Sequence, residues 1–172
     1  MSVASGSSVS RKPRSQARRA LPTLFAILAL FTLSSGRASA AGTPKDSLAA
    51  HLIQPAALAH WLAGPAAQRP ALIHVGFGVL YKGGHIPGSR YAGPASKPEG
   101  LDSLRKTLGP LPREAPLVLY CGCCPWENCP NVVPAFQTAR AMGFKRVQVL
   151  LVAKDFQKDW ADKGYPTAES TH

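Results

Sequence analysis

The chain has 172 residues, 45% of them apolar and 17% charged, which suffices for one domain with a proper core and is short for two. Its formal charge of +11 resembles that of a nucleic-acid binder. However, Arg11, Lys12, Arg14, Arg18, Arg19 and Arg37 all precede residue 41, where no acidic residue occurs. Setting those six aside from the 20 basic residues leaves 14 against 9 acidic ones, scattered and without a basic stripe interleaved with aromatics, so nucleic acid is not an expected partner.

The first segment reads as a targeting signal. Arg11 to Arg19 is basic, Leu21 to Leu33 is an apolar run of thirteen residues, and Ala38-Ser39-Ala40 is an A-x-A cleavage pattern. Thirteen residues with Pro22 near the start fall short of the ~20 that span a bilayer. The expectation is therefore a signal peptide over 1–40, a flexible lead-in over 41–50, and an exported, periplasmic or secreted domain over 51–168 with no membrane attachment after cleavage. The pair Arg18-Arg19 suits a twin-arginine route as well as the general one.

Beyond the leader, Pro55 suits a first helical position and Gly64-Pro65 a stop, so the spacing predicts a helix of about three turns ending at Ala63. Pro70 to Gly76 is an apolar, β-branched run and predicts a buried strand. Tyr81 to Arg90 is too rich in glycine for a continuous element and predicts a shaped loop. Leu101, Leu104 and Leu108, three and four apart, predict an amphipathic helix over 98–108. Leu117 to Tyr120 predicts a second buried strand and Val132 to Met142 a helix closed by Gly143. Val147 to Val152 predicts a third strand, and Phe156 to Lys163 a last helix stopped by Gly164. This alternation implies an α/β fold, a mostly parallel central sheet with helices on both faces and ligands at the carboxyl ends of its strands.

The most reactive stretch is Tyr120 to Asn131, which holds all four cysteines, Cys121, Cys123, Cys124 and Cys129, within nine residues. Cys121 follows a strand and precedes a helix. Backbone N–H groups at a helix start favour negative charge, so Cys121 is the expected thiolate and nucleophile. The loop residues Gly122, Cys123, Cys124, Trp126, Glu127, Asn128 and Asn131 are expected to surround a substrate, with Trp126 as a lid over the thiol.

The residues resemble a single rhodanese-like domain over roughly Leu52 to Pro166. Tyr81-Lys82-Gly83-Gly84-His85-Ile86-Pro87-Gly88-Ser89 matches the family's Tyr-x-x-Gly-His-Ile-Pro-Gly-Ala/Ser segment. Leu117 to Cys121 is similar to the strand that delivers the family's catalytic cysteine, Ala141 to Val147 to the following helix end and strand, and Lys163 to Pro166 to the closing Gly-x-Pro. The resemblance implies a sulfurtransferase: Cys121 takes sulfane sulfur from a donor such as thiosulfate, holds it as a persulfide and passes it to a thiol or a sulfur-acceptor protein. It implies no required cofactor. His85, with Pro87 and Gly88, is expected to shape its loop. The chain departs from the pattern at His74-Val75-Gly76, where Asp-Val-Arg is usual, and in an enlarged cysteine loop without Lys or Arg, which marks a divergent branch.

That loop offers N–H groups but no guanidinium, which disfavours dianions and phosphoryl transfer while leaving persulfide transfer open. Arg90 follows the His-Ile-Pro-Gly segment and is the candidate cation for the site. Three further readings of the sulfurs stay open at this point. In one, Cys124 or Cys123 resolves Cys121 in thiol–disulfide exchange. In another, Cys121, Cys123, Cys124 and Cys129 hold a soft metal, most simply Cu(I) on two or three thiolates, or Zn. In the third the domain is an inert binding module, and for Cys123, Cys124 and Cys129 the bland alternative is a structural disulfide bracing the enlarged loop, for instance Cys124 to Cys129.

Overall fold

A computed structural model of the chain describes residues 43–169; the expected leader and the first residues of the lead-in lie outside the described residues. Among these, none of the helices is long and apolar enough to cross a membrane.

Five strands form one parallel sheet: β1 (Leu52–Ile53), β2 (Ala71–His74), β3 (Arg90–Tyr91), β4 (Leu117–Tyr120) and β5 (Val147–Leu150), in the order β1-β5-β4-β2-β3. Among the described residues six helices connect and cover them: α1 (Pro44–Ala49), α2 (Pro55–Ala63), α3 (Gly78–Gly83), α4 (Pro98–Leu108), α5 (Val132–Ala141) and α6 (Phe156–Asp159). The strand residues alternate between two cores. Ile73, Leu117, Leu119, Val147 and Val149 pack with Leu104, Leu108, Phe136 and Ala139 of α4 and α5. Leu72, Val118, Tyr120 and Leu150 pack with Leu58 of α2 and Trp160 on the other face. A strand covered on both faces reads as an unbroken apolar run, which is why β2 and β4 were legible as buried strands.

The structure departs from the sequence reading at short elements. Within the expected lead-in, α1 is a capped helix: Thr43 Oγ1 accepts from the Asp46 N–H, the Asp46 carboxylate accepts from the Thr43 N–H at 2.7 Å, and Leu48 is fully buried. β1 and β3 are two-residue edge strands, too short to carry a period. The glycine-rich segment contains α3 before it turns. The last helix breaks at Trp160 into α6 and a single 3-10 turn, Ala161–Lys163.

From β2 the chain moves outward to β3, and from β4 it moves the opposite way to β5. The loops leaving these two adjacent strands diverge, and a crevice opens at their carboxyl ends, where such sheets bind ligands.

Candidate functional site

Cys121 is the residue that follows β4. Leu117 and Leu119 face α4 and α5, and the two-residue period carries the Cys121 side chain to that same side, toward the start of α5. It is 2% exposed. The next residue, Gly122, has φ +79°, and a Cβ there would stand 2.6 Å from the Cβ of Phe156, so the turn out of the strand requires glycine. The Phe156 N–H donates to the Gly122 carbonyl at 3.1 Å, and the Trp126 N–H to the Val152 carbonyl at 2.8 Å, which moors the loop to the chain after β5.

The four sulfurs gather. Cys121 Sγ lies 3.3 Å from Cys123 Sγ, which in turn lies 3.1 Å from Cys124 Sγ and 3.8 Å from Cys129 Sγ. Bonded sulfurs stand near 2.05 Å, and all four cysteines are free thiols. No pair among Cys123, Cys124 and Cys129, the example Cys124–Cys129 included, stands at disulfide distance. The sulfur next to Cys121 belongs to Cys123, whereas Cys124 makes its sulfur contact through Cys123. The sulfurs of Cys121, Cys123 and Cys129 all fall within 4.8 Å of one another, close enough to share one ion, and Cys124 is outside that group.

Two residues hold the Cys121 sulfur in place. Asn131, fully buried at the N-cap position of α5, does not cap the helix with its side chain. Its Oδ1 accepts from the Ser96 N–H at 2.9 Å, which fixes the amide so that Nδ2 donates to Cys121 Sγ at 3.4 Å. On the other side is Gly76, where a Cβ would come within 2.6 Å of that sulfur and 3.0 Å of the His74 ring. The sulfur thus fills the room that a side chain at position 76 would take.

Burial and hydrogen bonding move the thiols of the cluster in opposite directions. The thiol of Cys129 falls to about 6, because the neighbouring Cys121 thiol and the N–H groups of Asn131 and Val132 at the start of α5 favour its charged form, outweighing its burial. Cys121 moves the other way, above the usual thiol range, through its bond to Cys129 and its burial. The helix entrance therefore serves Cys129, 5% exposed, and Cys121 is a buried thiol beside it. Burial and the adjacent sulfurs push Cys124 up to about 12. His74 drops to about 4 through burial. Its Nδ1 accepts from the Gly76 N–H at 3.3 Å while the ring donates to the Cys121 carbonyl, so this neutral imidazole fixes the backbone under the thiol.

A cavity of about 560 Å³ reaches Cys121, Gly122 and Cys123 from between α3 and α6. Its walls include His74, Leu80, Phe156, Asp155 and Glu169, and among the described residues no Lys or Arg lines it. The other expected contacts lie elsewhere. Glu127 and Asn128 are exposed and line a surface hollow with Cys129 and Lys45. Arg90 lines a separate cavity with Arg69, Pro87 and Gly88, because β3 carries it beside the β2 residue Ile73. Trp126 opens a short 3-10 turn, Trp126–Asn128, and packs on the α5-side core instead of lining the Cys121 cavity. Asp155, Phe156 and Glu169 carry no signal in the sequence, since only the return of the chain after β5 brings them here.

The His-Ile-Pro-Gly segment forms a second wall. His85 Nδ1 donates to the Tyr81 carbonyl at 2.8 Å and its ring stacks on Tyr81 at 4.0 Å. Pro87 and Gly88, the latter with φ +79°, turn the chain so that the Ser89 N–H meets the Ile86 carbonyl. The Tyr120 hydroxyl ties the turn to β4, accepting from the Ile86 N–H at 3.1 Å and sharing a 2.7 Å bond with Ser89 Oγ. Among the described residues, no buried side-chain nitrogen or oxygen lacks a partner.

No family model matches the chain, and no curated protein does. Solved structures do. The Alr3790 protein from Anabaena sp. superposes with a TM-score of 0.53 at 19% identity, over 70% of this chain and 94% of that one. The rhodanese-like domain of that protein, solved in solution, gives 0.51 at 18% identity, over 70% and 80%. The BH2092 protein from Bacillus halodurans gives 0.53 at 19% identity, over 73% and 81%. At these identities the likeness is one of fold.

Proposed function

From a chain with the rhodanese-like fold, we propose an exported sulfurtransferase that carries sulfane sulfur as a persulfide on Cys121. The observation that supports this best is the placement of the Cys121 sulfur: at the end of the central strand β4, held by Asn131, and open to a cavity of about 560 Å³. Because the described residues give that cavity acidic Asp155 and Glu169 and no Lys or Arg in its walls, the donor is a small-thiol persulfide, RS–SH, and not a dianion such as thiosulfate. The Cys121 sulfur bonds to the outer sulfur of the donor, the donor's S–S bond breaks, and RSH leaves with the thiol proton. An acceptor thiol then bonds to that outer sulfur, and Cys121 returns as a thiol. The acceptor is a small thiol or a thiol on a sulfur-accepting protein.

The test is intact-mass analysis of reduced protein after brief treatment with a small-thiol persulfide. One added sulfur atom is expected in the wild type and none in Cys121→Ser. Retention of the added sulfur in Cys121→Ser together with its loss in Cys123→Ser or Cys124→Ser would move the carrier and overturn the assignment.

The 3.3 Å separation of Cys121 and Cys123 favours a second reading, thiol–disulfide exchange by that pair. It is distinguished by Cys123→Ser, which keeps persulfide loading but loses reduction of a model disulfide.

A further inference from the structure

We infer that Cys121, Cys123 and Cys129 form a three-sulfur site for one monovalent soft cation, Cu(I). Two separate pieces of chain build it: the exit of β4 supplies Cys121 and Cys123, and the residues leading into α5 supply Cys129. A metal–sulfur bond near 2.3 Å places three sulfurs around one ion about 4 Å apart. The three lie within 4.8 Å of one another, with Cys121–Cys123 at 3.3 Å and Cys123–Cys129 at 3.8 Å, so adjustments of a few tenths of an ångström to about one ångström close the ring.

The choice of ion follows from the donor set. Among the described residues no imidazole or carboxylate joins the three sulfurs, which selects a soft ion. A three-coordinate thiolate set suits Cu(I), whereas structural zinc completes a tetrahedron with a fourth ligand. The surroundings suit an anionic thiolate complex. Asn131 Nδ2 and the Cys123 N–H donate to Cys121, and the N–H groups of Asn131 and Val132 donate to Cys129. Donors of this kind orient metal ligands and offset their charge in a buried place. The absence of a side chain at Gly76 leaves the Cys121 sulfur the place it occupies beside the other two.

The site shares Cys121 with the proposed persulfide chemistry, so a bound ion closes that sulfur to a donor. Its own test uses no sulfur donor. Reduced protein is titrated under anaerobic conditions with Cu(I) held by bicinchoninate, and the ion captured is counted. One Cu(I) per chain is expected, retained in Cys124→Ser and lost in Cys129→Ser. X-ray absorption at copper on the wild type, expected to show three sulfur neighbours near 2.3 Å, decides the matter even where a serine variant does not fold. No capture from the chelator, two sulfur neighbours, or equal loss in Cys124→Ser would overturn the site. Persulfide loading without copper capture would remove this inference alone. Copper capture without loading would remove the transferase reading alone.

Discussion

Replacing Asn131 with aspartate tests whether the buried amide holds an anionic sulfur at Cys121. The substitution conserves volume and leaves an oxygen to accept from the Ser96 N–H at 2.9 Å, but turns the donor 3.4 Å from Cys121 Sγ into a second acceptor. A carboxylate at that distance from a forming thiolate or persulfide repels it by up to about 5 kcal/mol at an effective dielectric of about 20. Losing the charge-assisted hydrogen bond costs a further ~1.5–3 kcal/mol. Allowing generously for relaxation, about 2 kcal/mol remains, or roughly thirty-fold in rate. Single-turnover loading of sulfur, followed by intact mass, should therefore slow by at least that factor at pH 8 and recover toward pH 6 as the introduced carboxylate takes up a proton and donates again. Loading equal to the wild type from pH 6 to 9, in protein shown to be folded, would refute the role of Asn131.

Gly76→Ala should displace the Cys121 sulfur, since the new Cβ meets it at 2.6 Å; overpacking of this kind costs about 1–3 kcal/mol, readable in urea unfolding, with slower loading. Tyr120→Phe should lose about 1–3 kcal/mol in the same assay by leaving the Ile86 N–H unpaired. In the metal-free, reduced chain, the depressed Cys129 thiol makes stability depend on pH. Because its folded value is about 6 against 9.0 ordinarily, the unfolded chain binds the extra proton between those values. Stability should therefore rise by about 2 kcal/mol from pH 6 to 8 and be lost as pH falls through 6. Cys129→Ser should flatten that rise, which urea unfolding at several pH values checks.

The sequence carried the framework well and the site only in part. β4 and α4 lie where the residues alone put them, because an unbroken apolar run and a three–four leucine spacing each report on burial that neighbours impose along the whole element. α1 was missed because its one buried residue, Leu48, carries no period, and β1 and β3 because two residues cannot show one. The cysteines were identified as the reactive stretch, but that the N–H groups of Asn131 and Val132 act on Cys129 was not legible. Sequence distance to a helix start says nothing about which way a side chain points. That direction is set by the pleat of β4, which sends Cys121 toward the α5-side core, and by the turn that brings Cys129 back under the helix. Arg90 shows a related effect: adjacent in sequence to a loop that borders the site, it is carried by β3 to another cavity.

The missing side-chain cap at α5 has a consequence of its own. At most helix starts an oxygen receives the first free N–H groups, and nothing short of mutation alters it. Here the receiver is the sulfur of Cys129, an atom that oxidants, alkylating agents and soft ions can all modify. The fraying of one helix end is thereby tied to thiol chemistry, and slow or fast amide exchange at Val132 becomes a reporter of what has happened to that sulfur.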